Sequence, residues 1–213
     1  EMSERRFFTE LNKQLATRGI TDVLRKGFRY ISEIFDMYYP LPSELNPTAQ
    51  EMYAKNIFCV TRQLFYSKDN SNSIDVMVSL NGMPVMTIEL KNHYTGQTVE
   101  NAIKQYQTDR DANDPLLAPK RCAVHFAVDD DDIRMCTWLS GKNSWFLPFN
   151  KGVNGGAGNP VNPHGVRTSY VWENILKKES LSDIIENYAQ VVKKKDEKTG
   201  KEKISVVWPR YHQ

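Results

Sequence analysis

Two runs near the middle of the chain alternate apolar and polar residues with a period of two. In the first, Ile74, Val76, Val78 and Leu80 alternate with Asp75, Met77 and Ser79. In the second, Met86, Ile88 and Leu90 alternate with Val85, Thr87, Glu89 and Lys91. That period marks a strand with unlike faces, so the pattern predicts two adjacent strands joined at Asn81-Gly82. Elsewhere the spacing is helical. Phe7, Leu11 and Leu15, with Phe8 beside them, predict an amphipathic helix from Ser3 to Thr17, and Val23, Leu24, Phe28, Ile31, Ile34 and Phe35 predict a second from Thr21 to Met37. Tyr38 to Pro47 is a proline-rich break, followed by a short helix at Ala49 to Asn56, a strand at Ile57 to Tyr66 and a polar turn at Lys68 to Asn72. After Lys91, Thr98 caps a helix whose apolar face is Val99, Ala102, Ile103 and Tyr106. Arg121 to Val128 reads as a buried strand and Ile133 to Leu139 as its partner, with Asp129 to Asp132 as a solvated turn between them. Gly152 to Gly165 is a long irregular loop. Tyr170 to Leu176 and Ser180 to Val192 read as helical, the second behind a serine cap, and Lys193 to Lys203 reads as a charged, solvated linker.

If both central runs bury their apolar sets in one core, Asp75, Glu89 and Lys91 emerge together on the opposite face. The register decides whether they do. A two-residue Asn81-Gly82 turn pairs Leu80 with Met83 and, counted back, leaves Asp75 on the side of Ile88, away from Glu89. An odd-length loop or a bulge instead sets Asp75 across from or diagonal to Glu89. The expectation is the odd loop, with Gly82 supplying a positive φ. Two carboxylates and an ammonium on one sheet face are costly to desolvate unless something uses them. Paired carboxylate oxygens suit a hard divalent cation such as Mg²⁺, and a lysine beside it can orient an attacking water and offset charge on a phosphate. The plainer reading is a solvated strand face carrying an incidental acidic-basic pair.

These residues resemble the PD-(D/E)xK nucleases, and more closely the amino-terminal endonuclease domain of the restriction (R) subunit of type I restriction-modification enzymes. The resemblance lies in Asn72-Ser73-Ile74-Asp75-Val76, in Leu80-Asn81-Gly82-Met83-Pro84 and in Ile88-Glu89-Leu90-Lys91-Asn92. It extends through the following helix to Ala123–Asp129 and Phe146–Pro160. It implies an α/β restriction-endonuclease-like fold, a mixed central sheet flanked by helices, and Mg²⁺-dependent hydrolysis of double-stranded DNA, with Mn²⁺ able to substitute. Asp75 and Glu89 would be metal ligands, the Leu90 carbonyl a further one, and Lys91 the catalytic lysine. Gln105 would support the site or touch DNA; the alternative is a surface helix glutamine. Two positions depart from the family pattern. Ile74 stands where the name-giving proline would be, and Gln105 is followed four positions later by Asp109 where the family tends to carry tyrosine.

The resemblance also implies partners: modification and specificity subunits, and an ATP-driven motor in the same polypeptide. Ile204 to Gln213 looks like the segment that opens that motor, so the expected organisation is a nuclease domain over 1–192, a linker over 193–203 and the truncated start of a motor at 204–213. ATP would act only through the motor. The rival readings are a RecB-type repair or recombination nuclease with the same triad, and a non-catalytic docking module with the same fold.

Composition narrows this only slightly. A formal charge of +2 over 213 residues does not announce nucleic-acid binding, so any DNA contact must come from a local patch. Lys151, Asn154, His164 and Arg167 around the glycine-rich loop are candidates, as are His93 and Tyr94; Glu4 or Glu10 on the first helix could add an acid to the site. No G-x-x-x-x-G-K-[ST] occurs, so nothing here binds ATP by that route. His125, inside an apolar run, reads as a satisfied core histidine. Cys59, Cys122 and Cys136 lack metal-type spacing and read as reduced core thiols of a cytoplasmic protein. No apolar segment is long enough to span a membrane, and Glu1 before Met2 reads as a leftover residue.

Overall fold

The structure is a computed structural model that describes residues 2–195, 200 and 202–212. Helix α1 (Met2–Arg18) forms as its spacing predicts and buries Leu11 and Leu15. The second predicted helix is cut short. Helix α2 covers Ile20–Lys26 only, and the chain then forms a small hairpin of β1 (Phe28–Tyr30) and β2 (Glu33–Phe35), pairing Phe28 with Phe35. Gly27 is responsible: its φ is 58°, and a Cβ there would collide with the Phe35 carbonyl. The helix-like spacing of Phe28 and Phe35 is instead spent on an aromatic cluster, with the Phe7 ring 5.3 Å from Phe28 and 5.0 Å from Phe35. Helix α3 (Pro47–Ala54) starts earlier than predicted, because Asn46 caps it through the Ala49 amide and Pro47 suits the first turn.

The central sheet has six strands: β3 (Phe58–Phe65), β4 (Ser73–Leu80), β5 (Met83–Leu90), β6 (Val124–Val128), β7 (Ile133–Cys136) and β8 (Leu147–Pro148). They lie side by side in that order. All neighbours are antiparallel except β5 and β6, which run parallel. Parallel strands need a crossover, and here it carries helix α4 (Val99–Lys104), which continues as a π turn over Gln105–Asp109. The fold is therefore the expected α/β architecture with a mixed central sheet. Val78, Leu80, Met86, Ile88, Val124 and Phe126 build the main core with the residues of α1 and α2, while Val99 and Ala102 of α4 pack with Ala127.

The Asp129–Asp132 turn joins β6 to β7 as predicted, but it is not merely solvated. Asp129 is buried; its carboxylate accepts from the amides of Val99, Asp131 and Asp132, so one side chain closes the turn and holds the start of α4. His125 is a satisfied core residue. Its Nδ1 lies 2.7 Å from Thr87 Oγ1, which is also 2.9 Å from the Tyr106 hydroxyl, and burial lowers its pKa to about 3, leaving the ring neutral. Cys122 and Cys136 are buried free thiols, whereas Cys59, on an edge strand, is exposed and not a core residue.

The C-terminal region departs most from expectation. Residues 152–165 remain an irregular loop, but beyond Tyr170 the chain forms a π turn (Val171–Ile175), helix α5 (Lys178–Asp183) and a second π turn (Ile184–Tyr188). Helix α5 begins before Ser180, so the serine is not its cap. Gln190–Lys195 is strand β9, where continued helix was expected, and it pairs antiparallel with β10 (Glu202–Val207). Lys193 to Lys195 and Glu202 are thus exposed residues of a hairpin; 196–199 and 201, the middle of the predicted linker, lie outside the described residues. Trp208 is buried in the main core, and the Tyr211 ring packs 5.0 Å from Tyr170. No helix among the described residues is long and apolar enough to cross a membrane.

Candidate active site

The turn between β4 and β5 is tight: Leu80 pairs with Met83, and Asn81 and Gly82 take φ of 51° and 79°, the double positive φ of a two-residue hairpin turn. The odd loop predicted from the sequence does not form. The register is rescued by a bulge. Ser79 pairs with Pro84 but Val78 pairs with Met86, so Val85 is an extra residue, and its carbonyl turns to the Ala123 amide beside β6. From there Met77 pairs with Thr87 and Val76 with Ile88. Asp75 and Glu89 are the next residues outward on the two strands, and their carboxyls lie within reach of each other.

Asp75 is half-buried and held at both oxygens. Oδ1 accepts from Gln63 Nε2 at 3.0 Å, and Oδ2 accepts from the Leu90 amide at 2.8 Å. Glu89 is fully buried, at 0% exposure. Its Oε1 accepts from Arg110 Nε at 2.8 Å, while its Oε2 is buried without a partner among the described residues. Burial raises the Glu89 pKa to about 7; the Arg110 guanidinium pulls it down and the neighbouring Asp75 carboxyl pushes it back up. Arg110 also donates through Nη2 to the Ser73 carbonyl at 2.7 Å, so one guanidinium joins Glu89 on β5 to the first residue of β4.

The helical layer over this face supplies the remaining groups. Tyr106 reaches Thr87, placing α4 and its π turn above the side of β5 that carries Thr87 and Glu89. Gln105 sits on that layer with its Oε1 buried and without a partner among the described residues, and the buried Tyr66 hydroxyl lies near Arg110, Glu89 and Asn72. Lys91 follows Glu89 by two positions at the end of β5. Its amide donates to the Val128 carbonyl, and its half-buried side chain has no hydrogen bond or ion pair among the described residues. Beside Asp75 an open groove of about 760 Å³ is lined by Val60, Arg62, Gln63 and Leu90.

Other expected contributors are elsewhere engaged. Glu10 bonds Gln14 and lies near Lys13 on α1, and Glu4 is exposed; neither accompanies the two carboxylates. His93 sits between Asp129 and Asp131, 3.6 Å from each, and Tyr94 is fully exposed. Of the basic loop residues, Lys151 lies over the Tyr170 ring and Arg167 pairs with Asp131 at 3.3 Å. Arg110 and Gln63, which touch the carboxylates directly, carry no local sequence signal: each meets its partner only through pairing or crossover geometry.

The donor set suits a hard cation in one respect. A buried carboxylate oxygen with no donor, beside a second carboxyl, is an acceptor held in wait, which is costly unless a cation or proton uses it. Among the described residues no group of three or more His, Cys, Asp or Glu side chains forms, so the set stands at two carboxylates plus backbone. Comparison with curated proteins finds no relative. A family profile described as the type I restriction enzyme R protein N terminus matches residues 3–144, a span that contains Asp75, Glu89, Lys91, Gln105 and Arg110. With more than half of its length matched, and with a mixed sheet that carries Asp75 and Glu89, the chain belongs to the family of type I restriction enzyme R protein N-terminal domains.

Proposed function

We propose that this chain is the endonuclease domain of a type I restriction enzyme and hydrolyses phosphodiester bonds of double-stranded DNA with Mg²⁺, for which Mn²⁺ can substitute. The observation that carries the reading is the Oε2 of Glu89, buried without a partner among the described residues, on the strand next to Asp75. Asp75 and Glu89, with the carbonyl of Leu90, would hold the ion. Bound there, the ion would supply a Lewis acid for the scissile phosphate and lower the pKa of a water.

The chain's own residues perform the rest. The Leu90 amide and Gln63 fix the Asp75 carboxylate in one orientation, and Arg110 fixes Glu89 with one oxygen left free. Lys91, whose ammonium has no competing partner among the described residues, orients the attacking water and offsets the charge that builds on the phosphate. Gln105, with its carbonyl oxygen buried and unused, supports the site from the helical layer. The open groove along β3 exposes Arg62 beside Asp75, a local positive group where the net charge supplies no general attraction.

The same reading gives modification and specificity subunits and an ATP-driven motor as further partners and the cytoplasm as the compartment; because β9 pairs with β10 across the expected linker and Trp208 sits in the main core, residues 204–213 stay with the nuclease fold in this reading. A specific observation favours a second reading, a docking module without catalysis: Arg110 pairs with Glu89 at 2.8 Å, which gives the buried acid a structural partner of its own. The assembled restriction enzyme carrying Lys91→Ala separates the two. Loss of DNA cleavage with ATP-driven translocation retained supports the nuclease; unchanged cleavage overturns it.

A further inference from the structure

The edge strand β3 is kinked at one residue, and that residue faces the candidate site. Gln63 has φ of 49°, a left-handed conformation that a side chain such as glutamine adopts only when its surroundings impose it. Arg62 pairs with Val76 and Leu64 with Ile74, so Gln63 stands opposite Asp75, and the ladder is interrupted at this one pair. The link that replaces it is made by side chains. Gln63 Nε2 donates to Asp75 Oδ1 at 3.0 Å, while Gln63 Oε1 accepts from the Ser73 hydroxyl at 3.1 Å. Gln63 is itself exposed and lines the open groove beside Asp75, so packing does not explain its conformation.

We infer that Gln63 is a positioning residue for the metal-binding carboxylate of Asp75, its left-handed backbone turning the carboxamide onto Oδ1 while Ser73 fixes which end of the amide faces the acid. The inference rests on the metal reading of the preceding section. With Oδ2 held by the Leu90 amide, the Gln63 bond removes the last rotation of the carboxylate and leaves a lone pair on each oxygen for a cation. Hydrogen bonds of this kind, made to a ligating carboxylate from behind, are worth about 10–100-fold in metal affinity.

Glycine at this position separates the role from mere folding, because it accepts the left-handed conformation without strain while removing the amide. Mn²⁺ titration by calorimetry on the 213-residue chain, with thermal unfolding measured alongside, compares the unaltered protein with Gln63→Gly and Asp75→Asn. The expected result is Mn²⁺ binding that Asp75→Asn abolishes and that Gln63→Gly weakens by about 10–100-fold, without a lower unfolding temperature for Gln63→Gly. Binding abolished by Asp75→Asn but unchanged in Gln63→Gly overturns the role of Gln63 and leaves the metal reading standing. Absence of binding at Asp75 in the unaltered chain overturns the metal reading and the inference with it.

Discussion

Arg110 Nε lies 2.8 Å from Glu89 Oε1, and both side chains are almost wholly removed from solvent, at 6% and 0% exposure. A carboxylate this deep is tolerable only with a donor of opposite charge, and Arg110 is that donor. Removing it strands the acid. Arg110→Met alone is expected to cost about 3–5 kcal/mol of folding stability, whereas combining Arg110→Met with Glu89→Gln recovers most of it, because an apolar or neutral pair leaves no buried charge behind. Denaturant unfolding of the two single variants and the double one measures the coupling. Additive losses would contradict the pairing.

The buried pair in turn shapes the pH dependence of the metal-free protein. Glu89 has its pKa raised to about 7, so the folded state holds a proton that the unfolded state has released; its contribution to stability is full below about 4.5 and is lost as pH rises through about 7. His125 acts in the opposite sense. With its pKa lowered to about 3 by burial, the unfolded state takes up a proton that the folded state refuses, so stability rises with pH from about 3 to about 6.5. Between about 4.5 and 6.5 the two slopes offset each other. Glu89→Gln should therefore reveal a rising limb of roughly 1.4 kcal/mol per pH unit at most, and His125→Gln a falling one. Unfolding free energies across pH 4 to 7 that show the same slope in both variants would refute the assignment.

Asn81 serves the turn twice, through its positive φ and through its side chain. Its Oδ1 accepts from the Ile57 amide at 2.7 Å, and its Nδ2 donates to the Met37 carbonyl at 2.9 Å and to Asn56 Oδ1 at 3.0 Å. Asn81→Ala loses the side-chain bonds and adds left-handed strain, so it should cost about 2–3 kcal/mol by chemical denaturation. A loss within experimental error of zero would show that the hairpin does not depend on it.

Lys91 presents the contrasting case. Its side chain has no bonding partner among the described residues, so Lys91→Ala should leave thermal unfolding nearly unchanged, within about 0.5 kcal/mol, while cleavage by the assembled enzyme falls by two orders of magnitude or more, a loss typical of a missing electrostatic stabiliser. A large drop in stability would reassign Lys91 to a structural role.

These residues and their neighbours also show where the sequence speaks and where it is silent. Period-two alternation places Asp75, Glu89 and Lys91 on strands, because one buried face forces the alternation. The turn is legible in Asn81-Gly82, yet its consequence is not. Val85, buried and apolar like its neighbours, carries no mark of being the bulged residue, and only its carbonyl's alternative partner, the Ala123 amide, shows why the extra residue sits there. Phe28 and Phe35 keep helical spacing but are drawn into an aromatic hairpin, since Gly27 permits a backbone no other residue could adopt. Lys193 to Lys195 look like linker because exposed strand and exposed coil share a composition; what orders them is pairing with β10. Arg110 meets Glu89 across the crossover, and Gln63 meets Asp75 across a strand pair. Neither partnership is encoded in local spacing.

The central claim is that Asp75 and Glu89 jointly hold one divalent ion, and diffraction from Mn²⁺-soaked crystals tests it most directly. The account predicts an anomalous peak within bonding distance, about 2.0–2.3 Å, of an Asp75 oxygen and of Glu89 Oε2. Well-occupied Mn²⁺ elsewhere in the same crystals with no peak between these two carboxylates, and with Arg110 still closing on Glu89, would contradict it.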